Sequence, residues 1–82
     1  MKHTIIDPND TSIQVTIRTT AKGANIKVDE DDVKVFQQRI RLKPEHDKDD
    51  RICQYLEDQW LVSGDCLDII AEKLNVDEDL ED

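Results

Sequence analysis

Cys53, Cys66 and His46 have the side chains from which a nucleophile and its base could be built. A cysteine becomes a catalytic nucleophile when a neighbouring histidine accepts its proton. No catalytic motif surrounds either cysteine, and His46 follows Pro44 in a loop-like segment. Both cysteines lie beside apolar residues in helical patterns, where a free cysteine commonly packs as a small hydrophobic side chain. The sequence therefore predicts reduced, structural cysteines and no enzyme activity.

Two acidic runs, at 29–32 and 47–50, raise the question of a metal site. A calcium loop of the EF-hand type needs alternating Asp residues, a central Gly and a final Glu, and neither run has this spacing. Zinc sites use Cys and His at characteristic spacings, but Cys53 and Cys66 lie thirteen residues apart and neither histidine completes a pattern. With two glycines in the chain, a glycine-rich phosphate loop is also excluded. We predict no metal and no cofactor.

The charge of the chain is divided unevenly between its halves. Residues 1–43 hold eight Lys/Arg and six Asp/Glu, whereas residues 44–82 hold three Lys/Arg and fourteen Asp/Glu. The net charge of the whole chain is −9. A field of this sign repels nucleic-acid phosphates and attracts basic protein surfaces. The composition therefore predicts a basic protein partner and argues against direct nucleic-acid binding.

The length and hydropathy of the chain set further limits. Its 82 residues, 37% of them apolar, are enough for one small core. We predict a compact domain at 1–76 and an acidic flexible tail at 77–82. No apolar run approaches the roughly 18 residues of a membrane helix, and the first ten residues, MKHTIIDPND, lack the apolar stretch of a signal peptide. We therefore expect a cytoplasmic protein without membrane contact.

Alternating apolar and polar residues in the first third predict antiparallel strands. The clearest alternation runs over 12–19, where β-branched residues dominate. A shorter strand is predicted at 4–6, and the alternation resumes at 25–28. The intervening segment 21–24 is typical of a turn, in which Gly23 is able to take a positive φ. The pattern predicts a β-hairpin with one face buried and one exposed to water.

The segment 29–43, DEDDVKVFQQRIRLK, fits either a strand or a helix. As a strand, it has no single register that gathers all of its apolar residues. As a helix, it places Phe36 and Ile40 on one side, the acidic run at the positive N-terminal end and basic residues at the negative C-terminal end. Pro44 would then end the helix. The helix is the favoured interpretation, and it explains the acidic run as helix capping.

The acidic half predicts two helices, at 47–62 and at about 66–75. On the first, Ile52, Leu56 and Trp60 recur at helical spacing and predict a core-facing stripe, with Asp47 or Asp49 as the cap. On the second, apolar residues again follow the helical period. The two helices are predicted to form a tight helical hairpin.

Ser63 and Gly64 separate these helices, because Gly commonly follows a helix end. Asp65 is the predicted N-cap of the second helix. The chain is therefore predicted to have an α+β fold, in which a small antiparallel N-terminal hairpin or sheet packs against two to three C-terminal helices.

Carboxylates cover the outer faces of the predicted helices. Such an array can present negative charge at spacings that resemble phosphates, and it favours a basic, nucleic-acid-binding protein surface. The predicted partner-binding residues are Asp49, Asp50, Glu57, Asp58, Asp65, Asp68 and Glu72. The acids of the tail extend this array: Asp77, Glu78, Asp79, Glu81 and Asp82. In size and charge alone, the chain is similar to the small acidic nucleic-acid mimics that phages use against restriction, CRISPR or transcription machinery.

The favoured functional hypothesis is thus an acidic inhibitor or regulator that binds a nuclease, an effector complex or a polymerase. One alternative is a homodimer or other assembly module that uses the hairpin edge or a patch around Trp60. Another is a DNA-binding regulator whose hairpin reads duplex through Gln14, Thr16 and Arg18. A further interpretation is that the acidic faces only keep the protein dissolved.

Overall fold

The chain, described by a computed structural model over residues 2–43 and 47–81 with side chains up to Leu74, forms a four-stranded antiparallel sheet followed by two helices. The strands are β1 (Lys2–Ile6), β2 (Ile13–Thr20), β3 (Gly23–Glu30) and β4 (Val33–Arg41), and they lie side by side in this order. The helices are α1 (Lys48–Gln59) and α2 (Gly64–Glu81). The predicted α+β class is confirmed.

The hydrophobic core lies between one face of the sheet and the two helices. Every second residue of the central strands is buried there, because an antiparallel sheet with one covered face alternates apolar and polar side chains. The buried residues of β2 and β3 are Val15, Ile17, Ala24, Ile26 and Val28. The helices contribute Ile52, Leu56, Cys66, Ile70 and Leu74. The opposite face of the sheet is open to solvent and mostly polar, with Ile6 of β1 54% exposed on it.

The two helices cover different halves of the sheet. The ring of Tyr55 on α1 lies over β4, with its centroid 6.2 Å from that of Phe36. Helix α2 packs against β1 at the other edge and against α1 along its side. This pairing leaves the seam between the helices facing away from the sheet.

The segment 29–43 is a strand and a turn, so the predicted helix is wrong. β3 continues to Glu30 and β4 begins at Val33. Asp31 and Asp32 join them with φ values of 51° and 65°. Two successive positive φ angles are required by the tight two-residue turn that matches the twist of a hairpin, and Asp tolerates them better than most residues. The acidic run is therefore the end of β3 followed by a hairpin turn, and not a helix cap.

A β-bulge explains why the sequence of β4 does not show the regular alternation of a strand. Val28 pairs with Phe36 and Asp29 pairs with Lys34, so Val35 is an extra residue opposite the step between Val28 and Asp29. An inserted residue shifts all later side chains to the other face of the strand. The apolar residues on the two sides of Val35 consequently fit no single strand register.

Gly23 lies inside β3 and has no positive φ, contrary to the predicted turn conformation. The turn between β2 and β3 consists of Ala21 and Lys22. The lack of a side chain at position 23 is still required, because a Cβ atom there would overlap the backbone carbonyl oxygen of Ile40. This glycine lets the last residues of β4 lie against the first residues of β3.

Gly23→Ala is therefore expected to lower the free energy of unfolding by about 1–3 kcal/mol, since the backbone of β4 must move to admit a methyl group. Gly64→Ala is the matched control, because a Cβ atom on Gly64 would meet no atom within 4 Å. That variant is expected to be as stable as the parent or more stable by up to about 1 kcal/mol. Urea unfolding followed by circular dichroism measures both, and equal stabilities would contradict the predicted clash.

Helix α1 ends earlier than predicted, and Trp60 is not in the core. The last helical residue is Gln59, and Trp60 has a left-handed backbone with φ 58° and ψ 31°. Its N–H donates to the carbonyl oxygen of Glu57 at 3.2 Å. The side chain is 91% exposed. The i+8 spacing from Ile52 would have placed it on the core stripe only if the helix had continued.

Ser63, and not Asp65, caps helix α2. The Ser63 hydroxyl accepts a hydrogen bond from the Cys66 N–H at 3.2 Å, and the Ser63 carbonyl accepts one from the Leu67 N–H at 3.1 Å. Asp65 lies in the first turn, where its carboxylate accepts from the Asn9 side-chain amide at 3.1 Å. Serine is among the preferred N-cap residues because its hydroxyl satisfies a free N–H of the first turn.

The remaining helix ends also differ from expectation. Asp47 occupies the N-cap position of α1, as predicted, but its side chain makes no capping hydrogen bond. Gly64 begins α2 rather than ending α1, and α2 extends to Glu81, beyond the predicted end at 75. The side chains of the tail acids and Asp82 lie outside the described residues, so a flexible tail at 77–82 stays a prediction.

Candidate functional site

Asp7 anchors the loop between the two helices to the sheet. Its side chain is 2% exposed. One carboxylate oxygen, Oδ2, accepts from the Ser63 N–H at 3.0 Å. The other, Oδ1, accepts from the Ser63 hydroxyl at 2.7 Å and from the Asn9 N–H at 2.9 Å. The loop that carries Trp60 is thereby fixed to the residue that follows β1.

The pKa of Asp7 reflects two opposing effects. Burial raises it, but hydrogen bonds from Ser63, Asn9 and Asp10 favour the charged form and leave the pKa below its ordinary value of 3.8. No local pattern in the sequence marks Asp7 as a buried contact. An Asp two residues before an Asn is typical of a local turn, but the bond to Ser63 joins positions that no local pattern connects.

An open groove runs along the seam between α1 and α2, with a volume of about 640 Å³. We call it the helical groove. Its acidic lining consists of Asp50, Glu57, Asp58 and Asp68. Its apolar lining consists of Cys53, Val62, Leu67, Ala71 and, at the end of α1, Trp60. The groove therefore combines four carboxylates with apolar surface and one exposed aromatic ring.

The structure brings together four of the seven predicted partner-binding acids in this groove. Asp49 is nearby on α1, since its charge acts on the Cys53 thiol. Asp65, at the start of α2, accepts a hydrogen bond from the Asn9 side chain. Glu72 is exposed on α2 but does not line the groove. Helical spacing in the sequence predicts these acids on outer helix faces, but the packing of α1 against α2 determines which of them line one groove.

The two cysteines are free thiols. Burial raises the pKa of Cys53 to about 11, and the charges of Asp49, Asp50 and Asp68 add to this effect. Burial raises the pKa of Cys66 to about 11 as well. The Cys53 thiol donates to the carbonyl oxygen of Leu67 at 3.4 Å. These surroundings keep both thiols protonated, so both cysteines are poor nucleophiles.

Both thiols are expected to react slowly with iodoacetamide at neutral pH in the folded protein, because the thiolate is the reacting species. With pKa values of about 11, the thiolate fraction at pH 7 is roughly a hundredfold below that of an unperturbed cysteine. Mass spectrometry over time measures the rates, and the urea-unfolded chain is the control. Native rates equal to the unfolded ones would contradict this account.

Trp60 is a further functional candidate, because it is exposed where helical spacing predicts a core residue. Aromatic residues bury apolar area efficiently, yet this one lies almost entirely in water. Its left-handed backbone costs roughly 1–2 kcal/mol relative to glycine at the same position. Trp is also the residue type most enriched in the energetically dominant centres of protein interfaces. The exposed position of this Trp could be predicted only if the end of α1 were known. Helix ends are poorly defined by sequence.

Comparisons with protein-family models, with curated proteins and with solved structures gave no match. Over the described part of the chain, no helix has the length and apolar character to cross a membrane. Among the same residues, no group of three or more Cys, His, Asp or Glu side chains comes close enough to hold a metal ion. His46 lies outside the described residues. The helical groove and the charges around it are therefore the features of the molecule that indicate a function.

Proposed function

We propose that this protein is an acidic binding module whose helical groove receives a basic surface of a nucleic-acid-binding protein and so inhibits or regulates it. The observation that carries the proposal is the placement of Trp60, 91% exposed at one end of a groove lined by four carboxylates. The backbone of Trp60 has a sparsely populated conformation that does not serve core packing. Such conformations are common at functional sites.

The groove has the chemistry to bind an Arg or Lys side chain. The face of an indole ring attracts a cation, with about 0.5–2 kcal/mol per contact. Carboxylates add charge-assisted hydrogen bonds, which are bidentate with a guanidinium group. Glu57 and Asp58 line the same groove as Trp60, so carboxylates and an indole ring are present on one surface.

The apolar lining supports a protein partner rather than a free cation. Leu67 and Ala71 of α2 give the groove a surface that another side chain can cover. A centre of apolar contact surrounded by charged groups is the usual arrangement of a protein interface. The excess of carboxylates favours basic partners over acidic ones and speeds their encounter.

The finer part of the proposal is nucleic-acid mimicry. Carboxylates along two neighbouring helices replace the phosphates that a nuclease, an effector complex or a polymerase would contact. Such a partner would bind this protein and nucleic acid in competition. The similarity to acidic phage inhibitors of restriction and CRISPR systems supports this version through size and charge alone.

The proposal is tested by affinity capture from a nuclease-treated lysate at low salt, followed by a salt gradient and mass spectrometry. Nuclease treatment removes proteins that are retained only through nucleic acid. The parent protein is expected to retain a basic nucleic-acid-binding protein that is released at moderate salt. The triple variant Asp50→Asn, Glu57→Gln, Asp68→Asn is expected to lose it.

The matched control is the triple variant Glu30→Gln, Asp31→Asn, Asp32→Asn. It removes the same charge from the exposed turn between β3 and β4, and Asn tolerates the positive φ of that turn. The control is expected to keep the partner. If both variants lose it equally, total charge and not the helical groove decides binding, and the proposal is wrong.

A further inference from the structure

The face of the sheet that points away from the helices is polar and carries a cluster of basic side chains. We call it the outer sheet face. Its members alternate along the strands with the buried residues of the core, so they point to the opposite side. One row across all four strands consists of Lys2, Arg18, Asn25 and Arg39, which are direct cross-strand neighbours. The next row consists of Thr4, Thr16, Lys27 and Gln37.

The strand conformation of β4 creates this cluster. On the predicted helix, Arg39 and Arg41 would not have shared a face, because residues two apart on a helix point in different directions. In the sheet, Arg39 lies beside Asn25 and Arg41 lies beside Gly23, on the same face as Arg18. All three arginines are exposed and line one open depression of about 520 Å³.

The charge of these arginines is not neutralised nearby. Among the described residues, Arg18, Arg39 and Arg41 form no ion pair, and the Lys27 ammonium lies 3.7 Å from a carboxylate oxygen of Asp29. The acidic turn between β3 and β4 lies at the other end of the sheet from this cluster. The acidic helices lie on the opposite side of the sheet, so their carboxylates are farther from a ligand on this face than the arginines are, and Coulomb interaction weakens with distance. These arginines are therefore the charges nearest to a ligand on this face, although the net charge of the chain is −9.

The geometry of the row fits the major groove of duplex DNA. Neighbouring strands lie about 4.8 Å apart, so Arg18 and Arg39 flank Asn25 at a separation of about 10 Å. The major groove is about 12 Å wide and admits a two-stranded β-ribbon, so two neighbouring strands of this sheet can enter it together. Arginines at this separation can reach the two phosphate backbones or guanine edges, while an Asn between them faces the bases.

The composition of the face favours duplex over single strands. Single-stranded nucleic acid is held chiefly by stacking of bases on aromatic side chains. The chain has one Phe, one Tyr and one Trp. Phe36 and Tyr55 contact each other on the helical side of the sheet, and Trp60 lies at the helical groove. The outer sheet face instead offers Asn and Gln amides, which pair with adenine edges in the major groove.

We propose that the outer sheet face binds duplex DNA through its major groove, with Arg18 and Arg39 as the main contacts and Arg41 and Lys2 as supporting phosphate contacts. This inference goes beyond the proposed function and does not depend on it, because the two surfaces lie on opposite sides of the molecule. Together they would let the protein contact DNA while it holds a basic DNA-binding protein.

The test is fluorescence anisotropy of a labelled, mixed-sequence DNA duplex titrated with the full chain over a series of salt concentrations. The parent protein is expected to bind at low salt. The double variant Arg18→Gln, Arg39→Gln is expected to bind about tenfold more weakly or worse, with a salt dependence reduced by about 2 in slope. The matched control, Arg51→Gln, Lys73→Gln, removes the same charge from exposed positions of the helices and is expected to bind like the parent.

Three results would overturn the inference. The first is absence of binding by the parent at low salt. The second is equal weakening by the two double variants, which would reflect net charge alone. The third is self-association of the parent without DNA, measured by light scattering and abolished by Arg18→Gln, Arg39→Gln, which would make a second copy the occupant of this face. The acid-neutralised triple variant of the helical groove is expected to bind DNA at least as tightly as the parent, so this test and the test of the proposed function fail separately.

Discussion

Asp7→Asn is expected to lower the free energy of unfolding by about 2–4 kcal/mol, although it alters one atom of one side chain. The carboxylate of Asp7 accepts three hydrogen bonds from Ser63 and Asn9 in a buried position. An amide group presents a donor where one of the two carboxylate oxygens was, so a buried N–H or hydroxyl then faces another donor. A buried donor without an acceptor costs about 1–3 kcal/mol, and bonds to a charged acceptor are stronger than neutral ones.

The pH dependence of stability provides a second measurement of the same contact. The folded pKa of Asp7 is below its ordinary value of 3.8, so the unfolded chain binds this proton more readily than the folded one. The stabilisation is therefore complete above pH 3.8 and is lost as the pH falls through the folded pKa. The difference in stability between the parent and Asp7→Asn should shrink in this acidic range.

Chemical denaturation at several pH values measures both effects, and Asp58→Asn is the matched control because Asp58 is exposed on α1. The control is expected to unfold within about 0.5 kcal/mol of the parent. Ser63→Ala completes a double-mutant cycle, in which the two substitutions should be less destabilising together than the sum of the single changes. Additive effects would contradict a direct contact between Asp7 and Ser63.

Trp60→Gly is expected to separate binding from stability. Glycine adopts the left-handed conformation without strain, so the free energy of unfolding should stay unchanged or rise by up to about 1 kcal/mol. Binding to the captured basic partner should weaken by about 2 kcal/mol or more, which is roughly a 30-fold increase in Kd. The change removes the one aromatic ring of the helical groove and leaves its carboxylates in place.

Trp60→Phe is the matched variant, because it keeps the backbone strain and an aromatic face. It should retain most of the affinity that Trp60→Gly loses, since a phenyl ring still attracts a cation, though less strongly than indole. Isothermal titration calorimetry and urea unfolding measure the two properties. A Trp60→Gly protein that unfolds more easily but binds normally would show that Trp60 serves the fold and not the partner.

The sequence predicted those elements whose patterns are regular and local. Alternation over 12–19 and 25–28 identified two strands because nothing interrupts the pleat there. The bulge at Val35 broke the alternation in β4, and the turn at Asp31 and Asp32 lacks the Gly that usually marks it. A helix was therefore predicted where the chain forms the edge strand of the sheet.

The candidate site was predictable only in part for a related reason. Acidic helices could be recognised from composition, and four of the predicted carboxylates do share a groove. The exposed position of Trp60 depends on where α1 ends, and the anchoring of its loop depends on Asp7 and Ser63, which only the tertiary fold brings together. The basic outer sheet face depends on the same missed strand, β4.

The fluorescence of Trp60 tests the central claim most directly, because it is the one tryptophan of the chain and is exposed in the free protein. The protein would be titrated with a Lys/Arg-rich peptide, and with an acidic peptide of the same length as control. We predict a saturable blue shift of the emission with the basic peptide, weaker at high salt and absent in the triple variant Asp50→Asn, Glu57→Gln, Asp68→Asn. Emission that stays unchanged with the basic peptide, or shifts equally with both peptides, would contradict a cation-binding groove at Trp60.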